Sequence, residues 1–259
     1  MKLSIVIGGC ALFGLAIGSF LNVVVYRVPR HESIVKPPSR CPACGVIIRS
    51  RDNVPLVSWF LLRGKCRNCS SRISGRYPLL EGLCAALFAG TGARFGWSSS
   101  LLPMLILLAG LLALAAIDLE RMILPKSIVY VSFVVLALTL VTDSLVTSQW
   151  HRLAIAFACS ASWFVVFFAI NALGPRLLGY GDVRLALLLG LGLGWLGIRF
   201  TILGFFAANL IGAVIGVSLI LAKRMTRDQP IPYGVFLAMG AALAIFAGPE
   251  LLSPFQRFS

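Results

Sequence analysis

Long apolar runs separated by short polar breaks dominate this chain. Runs over residues 3–26, 79–96, 99–117, 127–142, 153–173, 183–198, 201–222 and 233–250 are each close to the roughly 20 residues that a bilayer-crossing helix needs. The pattern predicts an all-α, polytopic membrane protein with about eight transmembrane helices. The sixth run is the weakest, because Gly190, Gly192, Gly194 and Gly197 lower helix propensity, and without it the count is seven; small residues also let membrane helices approach closely. Only Lys2 precedes the first run, which lacks a small-x-small cleavage site and exceeds a signal-peptide core of about 7–15 residues. Residues 1–28 are therefore expected to be a retained anchor. The one sizeable polar segment, 29–77, is expected to form a small domain between the first two spans, and 78–259 a multi-helix membrane domain.

Composition removes the soluble alternatives. Of the 259 residues, 59% are apolar and 12% charged, with a mean hydropathy of +0.93, far outside the range of water-soluble globules. The net charge of +14 raises nucleic acid as a partner, but its distribution argues otherwise. With eight spans, the loops on one side hold 18 of the 23 basic residues: 11 from Arg27 to Arg76, then Arg121, Lys126, Arg176, Arg184, Lys223, Arg224 and Arg227. The other side holds Lys2, Arg94, Arg152, Arg199 and Arg257. Retention of basic loops in the cytoplasm explains that asymmetry. It makes membrane lipid the expected environment, leaves nucleic acid unsupported, and places the polar segment in the cytoplasm.

That segment is too short and too poor in apolar residues to build a core unaided. It contains Cys41-Pro-Ala-Cys44 and Cys66-Arg-Asn-Cys69, two Cys-x-x-Cys knuckles separated by 21 residues. Four thiolates at this spacing can close a tetrahedral shell around Zn²⁺ and supply folding energy, giving a zinc-ribbon-like cytoplasmic loop domain. A four-cysteine shell leaves no open position, so the metal would be structural. Redox dithiols or disulfides are the alternative reading, disfavoured in a reducing cytoplasm. Cys10, Cys84 and Cys159 lie in apolar runs at no ligand spacing and are expected to pack.

Nine acids remain to be weighed. Glu32, Asp52, Asp143, Asp228 and Glu250 fall in loops or at span ends, where solvation is expected, and Glu120 beside Arg121 reads the same way. Asp118 ends the third span and Asp182 opens the sixth, in Gly179-Tyr180-Gly181-Asp182, both at the cytoplasmic edge. A carboxylate at the edge of hydrocarbon is costly and marks a functional candidate. Two brought together in a poorly solvated site share a proton, one acting as general base and the other as general acid around a water. That equipment hydrolyses a peptide bond without a metal or a nucleophile. Gly179 and Gly181 would let backbone approach a substrate strand. A serine or cysteine nucleophile is poorly served, since the only histidines, His31 and His151, are expected on opposite sides of the membrane.

These residues resemble the prepilin peptidase family, the bacterial leader peptidases of type IV pilins and type II secretion pseudopilins. The likeness extends along the chain: Gly18-Ser-Phe-Leu-Asn22 through Tyr26-Arg27-Val28-Pro29, the two cysteine knuckles, Ile73-Ser-Gly-Arg76-Tyr77-Pro78 to Glu81, Asp118 with Leu124-Pro125, Gly179-Tyr-Gly-Asp182-Val183, and Ile231-Pro-Tyr-Gly234. The resemblance implies an aspartic endopeptidase of the bacterial cytoplasmic (inner) membrane whose active site faces the cytoplasm. Asp118 and Asp182 would be catalytic, and the basic leader would be cut from a prepilin or pseudopilin after a Gly preceding its apolar helix. It further implies N-methylation of the new N-terminus with S-adenosylmethionine. Glu81, Asn22, Tyr180 and Tyr233 are polar or interfacial positions that could line the site or simply pack. Two departures stand out: Lys126 where the family commonly has an acid, and Val235 where it has Pro. Two readings compete with this one: another Gly-x-Gly-Asp membrane protease, for which no Cys-rich loop is expected, and a non-enzymatic transporter with a zinc-stapled loop, in which the aspartates would carry ions.

Overall fold

In a computed structural model, residues 2–174, 178–224, 226, 229 and 231–253 are described; Arg176, Arg227, Asp228 and Arg257 lie outside them. Among these residues the chain is helical, with two isolated antiparallel bridges and no strand. The helices are α1 (Leu3–Arg27), α2 (Val57–Leu61), α3 (Arg76–Phe95), α4 (Leu101–Arg121), α5 (Lys126–Thr147), α6 (Trp150–Leu173), α7 (Tyr180–Leu196), α8 (Ile198–Leu221) and α9 (Tyr233–Leu252). Each of the eight apolar runs falls on one of the long helices. Six of them, α1, α4, α5, α6, α8 and α9, are long and apolar enough to cross a membrane. The other two are α3, which carries Arg76, Glu81 and Arg94 in 20 residues, and α7, which has 17 residues.

The chain divides into two compact units, Met1–Trp97 and Ser98–Ser259. In the first, α3 runs antiparallel along α1. The contact is made by small residues: a Cβ on Gly14 would lie 2.8 Å from Ala85 Cα and 2.9 Å from Phe88 Cβ, and one on Gly92 would lie 3.0 Å from Cys10 Sγ. Without a hydrophobic driving force between helices in lipid, such close backbone approach is what holds a pair together. One polar link reinforces it, and a second ties α3 to the segment before α2. Asn22 Nδ2 donates to the Tyr77 carbonyl at 3.1 Å, and Glu81, buried in α3, accepts the Leu56 amide at 2.7 Å. Asn22 and Glu81 therefore brace the first unit.

The second unit is built around α7, which packs against α4, α5, α6, α8 and α9. The glycines that weaken it as an isolated helix are its contact surface. A Cβ on Gly190 would meet Ser160 Cα at 2.6 Å and the Cys159 carbonyl at 2.7 Å, and one on Gly194 would meet Cys159 Cβ at 2.7 Å. Ser160 Oγ donates to the Leu187 carbonyl at 2.8 Å, and at the far end the Trp195 indole donates to Ser100 Oγ at 3.0 Å. Cys10, Cys84 and Cys159 are buried among helices, as packing residues.

One acid departs from expectation. Asp143 lies within α5 with 8% of its surface exposed, and its Oδ2 is buried without a hydrogen-bond partner. Its position near the end of an apolar run resembles a solvated loop, but α5 continues to Thr147 and carries the side chain inward.

The glycine contacts are testable. Gly190→Leu should overpack the α6–α7 contact and cost about 1–3 kcal/mol, read as a lower thermal midpoint in detergent. Gly8→Leu, where a Cβ meets nothing within 4 Å, should leave the midpoint unchanged.

Candidate active site and metal centre

Asp118 and Asp182 are both set at helix ends. Asp118 occupies the last turn of α4, which closes when the Met122 amide, in left-handed conformation, returns to the Asp118 carbonyl at 2.8 Å. Its side chain is 5% exposed and faces the first turn of α9, and its Oδ2 is buried with no hydrogen-bond partner. A Cβ on Gly234 would lie 2.9 Å from Asp118 Oδ2 and 3.0 Å from Leu124 Cδ2. Only a residue without a side chain leaves room for that carboxylate.

Asp182 is the third residue of α7, with Gly179 as the N-cap. Its carboxylate lies back over the N-cap, beside Gly179. A Cβ on Gly179 would sit 3.2 Å from Asp182 Oδ2, and one on Gly181 would sit 3.1 Å from Leu124 Cβ. The two glycines thus have separate tasks: Gly179 admits the carboxylate, and Gly181 seats the start of α7 against the α4–α5 turn. The segment leading into α7 is tied down by Asn171 Nδ2, which donates to the Leu178 carbonyl at 2.7 Å.

Asp118 and Asp182 line one open cavity of about 540 Å³, whose walls include Leu124, Leu178, Ile231 and Tyr233. They are close enough for mutual charge repulsion. The N-termini of α7 and α9 also converge there, and their unpaired amides and dipoles favour negative charge. Tyr233 presents its ring to the cavity while its hydroxyl donates to Asn209 Oδ1 at 3.3 Å. Tyr180 instead points outward, with the Arg184 guanidinium 5.3 Å above its ring. Neither histidine lines the cavity. Gly234 and Leu124 are the residues that reasoning from charge and spacing left unassigned; the only signal for them was their place in the Leu-Pro and Pro-Tyr-Gly motifs.

The four cysteines of the polar segment also come together, with their sulfurs all within 4.8 Å of one another. Cys41 and Cys69 Sγ are 3.8 Å apart, close to the edge of a tetrahedron whose metal–sulfur bonds are about 2.3 Å. The two knuckles repeat one backbone design. In each, the first cysteine's carbonyl receives an amide four residues on (Gly45 or Ser70) and its own amide donates five residues on (Val46 or Ser71), beside an antiparallel bridge, Arg40 to Ile47 or Lys65 to Arg72. Gly45 and Ser70 both have positive φ, 69° and 58°; the second knuckle makes this turn without glycine. The Cys44 amide, and then the Ser71 hydroxyl, stabilise the Cys41 thiolate and draw its pKa down to about 6. Ser71 likewise lowers the Cys69 pKa. Four cysteine sulfurs gathered this closely form a donor set that fits Zn²⁺. Arg67, inside the second knuckle, is paired with Asp52 at 2.7 Å; this acid is held in an ion pair.

Models of known families match both units. The one described as the Bacterial Peptidase A24 N-terminal domain covers residues 12–95, and the Type IV leader peptidase family covers 104–217. The prepilin leader peptidase/N-methyltransferase of Stutzerimonas stutzeri is 33% identical over 278 residues, covering 96% of this chain and 94% of its own. The chain belongs to the type IV leader peptidase family. Further relatives of the same description are those of Bacillus subtilis, 33% identical over 242 residues (93% of this chain, 94% of that one), and Myxococcus xanthus, 39% identical over 234 residues (85% and 67%). No solved structure is significantly similar. Within the family frame, the cysteine cluster falls in the N-terminal match, and both aspartates fall in the leader-peptidase match.

The purified protein should carry one zinc per chain. Cys44→Ser should lose it and expose residues 29–77 to proteolysis, measured by metal analysis and limited digestion; wild-type protein free of metal would refute the tetrad assignment.

Proposed function

We propose that this protein is a membrane aspartic endopeptidase that removes the basic leader from type IV prepilins or type II secretion pseudopilins and then N-methylates the new N-terminus. The observation that carries the proteolytic half is the shared cavity, in which Asp118 and Asp182 meet at the ends of α4 and α7. Two carboxylates that repel each other hold one proton between them. The ionised one takes a proton from water as the oxygen attacks the scissile carbonyl. The protonated one delivers its proton to the amide nitrogen as the C–N bond breaks. The N-termini of α7 and α9 offset negative charge developing in the site. Leu124, Leu178 and Ile231 give the cavity apolar walls, suited to the junction between a polar leader and an apolar pilin helix.

If all eight long helices cross the membrane, the 18-to-5 division of basic residues supports an orientation in the bacterial inner membrane with this cavity and the cysteine lobe toward the cytoplasm. We divide the chain functionally into a first anchor, 1–28, a zinc-held cytoplasmic domain, 29–77, and a membrane domain, 78–259, that carries the aspartates, although α3 packs with α1 in one compact unit. A zinc ion held by Cys41, Cys44, Cys66 and Cys69 would have a closed shell, so it would shape the lobe and take no part in hydrolysis. Methyl transfer is supported by the names of the relatives. S-adenosylmethionine would supply the methyl group: the α-amine gives up a proton and forms an N–CH3 bond as the S–CH3 bond breaks, leaving S-adenosylhomocysteine. Among the described residues, no side-chain cluster identifies itself as the site for that donor.

Coexpression with a pilin precursor tests the proteolytic reading. Asp118→Asn and Asp182→Asn should each slow cleavage by at least about 10²-fold with the thermal midpoint preserved, and full processing by both would refute it. Gly234→Val, which puts a side chain against Asp118, should also impair cleavage. The mass of the mature pilin N-terminus reports both the cut position and the added methyl; an unmethylated product would remove the second activity.

A further inference from the structure

The cysteine lobe presents an apolar face outward. In α2, Val57, Phe60 and Leu61 share one side, at spacings of three and four residues, and are 51%, 65% and 78% exposed. The other side faces the lobe. Ser58 is buried, accepts the Val54 amide at 2.9 Å and donates to the Arg51 carbonyl at 3.1 Å, while the Trp59 indole donates to the Ile73 carbonyl. An amphipathic turn inside a small polar domain should bury its apolar side; this one is built the other way round.

Its height along the membrane helices shows what covers it. Gly18 of α1 lies directly against Glu81, where a Cβ would be 2.7 Å from Glu81 Cα. Gly18 is nine residues before the end of α1 at Arg27, or about 13 Å inside that end at 1.5 Å per residue. Glu81 binds the Leu56 amide immediately before α2, at 2.7 Å. Even with the full length of the glutamate turned toward the polar end, Leu56 stays inside the level of Arg27. At the same end, Tyr26, Arg30, Arg76 and Tyr77 form the aromatic and basic girdle expected at headgroups. An apolar turn held at that depth beside two helices lies at the boundary between headgroups and acyl chains, where interfacial helices bury about 5–10 Å. Charge agrees: residues 30–77 hold ten Lys or Arg and two acids, and one of those acids is taken by Arg67. Arg49, Arg51 and Arg63 flank α2 and are exposed.

We propose that α2 is a membrane-surface wedge, with Val57, Phe60 and Leu61 entering the acyl boundary of an anionic leaflet and Arg49, Arg51 and Arg63 among its lipid phosphates. The zinc lobe is thereby a peripheral membrane domain, held by the α1–α3 pair and by lipid. A basic segment near an anionic surface gains about 1 kcal/mol per Lys or Arg, and the apolar side chains add the area they remove from water.

The test uses the full-length protein in nanodiscs, with the photo-crosslinking residue p-benzoylphenylalanine in place of Phe60 or, separately, Leu61. Lipid adducts are counted by intact mass, in phosphatidylglycerol mixtures and in phosphatidylcholine alone. Lipid adducts at both positions, severalfold more abundant with phosphatidylglycerol, are expected. The combined Arg49→Glu, Arg51→Glu and Arg63→Glu variant should reduce them to the phosphatidylcholine level. Crosslinks to a second copy of the chain, the absence of lipid adducts, or a yield indifferent to lipid charge would overturn the proposal. No peptide cleavage is read, so this outcome is independent of the peptidase assignment.

Discussion

A carboxylate at the edge of hydrocarbon has to be met by protein, because lipid offers it no hydrogen-bond donor. Helix ends are where a helical membrane protein has donors to spare, since the first turn of each helix leaves amides unpaired. The aspartate site rests on that constraint. Asp182 lies back over the N-cap of its own helix, beside Gly179, and Asp118, at the end of α4, faces Gly234 in the opening turn of α9. Glycine recurs at 179, 181 and 234 because at each of these positions a Cβ would stand close to a carboxylate or to Leu124.

Helix ends can hold a site only if the helices themselves do not slide. In the second unit that rigidity comes from α7, the shortest of the long helices and the most enclosed. Its glycines forgo helix propensity and give close backbone contact on several sides. In α8 and α9 the same device recurs, with Gly204 and Gly240 at their contact and a Cβ on Gly240 only 2.6 Å from the Ala208 amide nitrogen. A set of interlocked helices therefore presents three termini, from α4, α7 and α9, to one cavity. Side chains on such elements are positioned more tightly than side chains on loops.

Much of this was legible in the sequence, for reasons that differ from part to part. Helix positions followed from run length, because a membrane helix must be long and apolar. The cysteine tetrad followed from spacing, because a knuckle is a local turn. The aspartate pair followed from scarcity, because nine acids in a chain this apolar leave few to explain. What escaped depended on which helix packs against which. Run length does not reveal that α3 pairs with α1, so Glu81 and Asn22 remained open as site residues although they brace the first unit. Asp143 resembled a solvated span end because the apolar run stops just before it, whereas α5 continues to Thr147. Gly234 carries no chemistry of its own, and its importance is visible only once Asp118 is seen beside it.

The charge of the cysteine lobe bears on how a substrate would reach the site. A basic leader is repelled by a lobe with ten cations and two acids between residues 30 and 77, so direct capture by that lobe works against Coulomb's law at any separation inside a Debye length of about 8 Å. On an anionic leaflet, both would be drawn to the same headgroups. Lobe and leader then meet as two cationic bodies on one negative surface, where phosphates screen their repulsion and confine the search to two dimensions. If the lobe attaches to the bilayer as proposed, its positive charge would serve that attachment, and recognition of the substrate would fall to the cavity that Asp118 and Asp182 line.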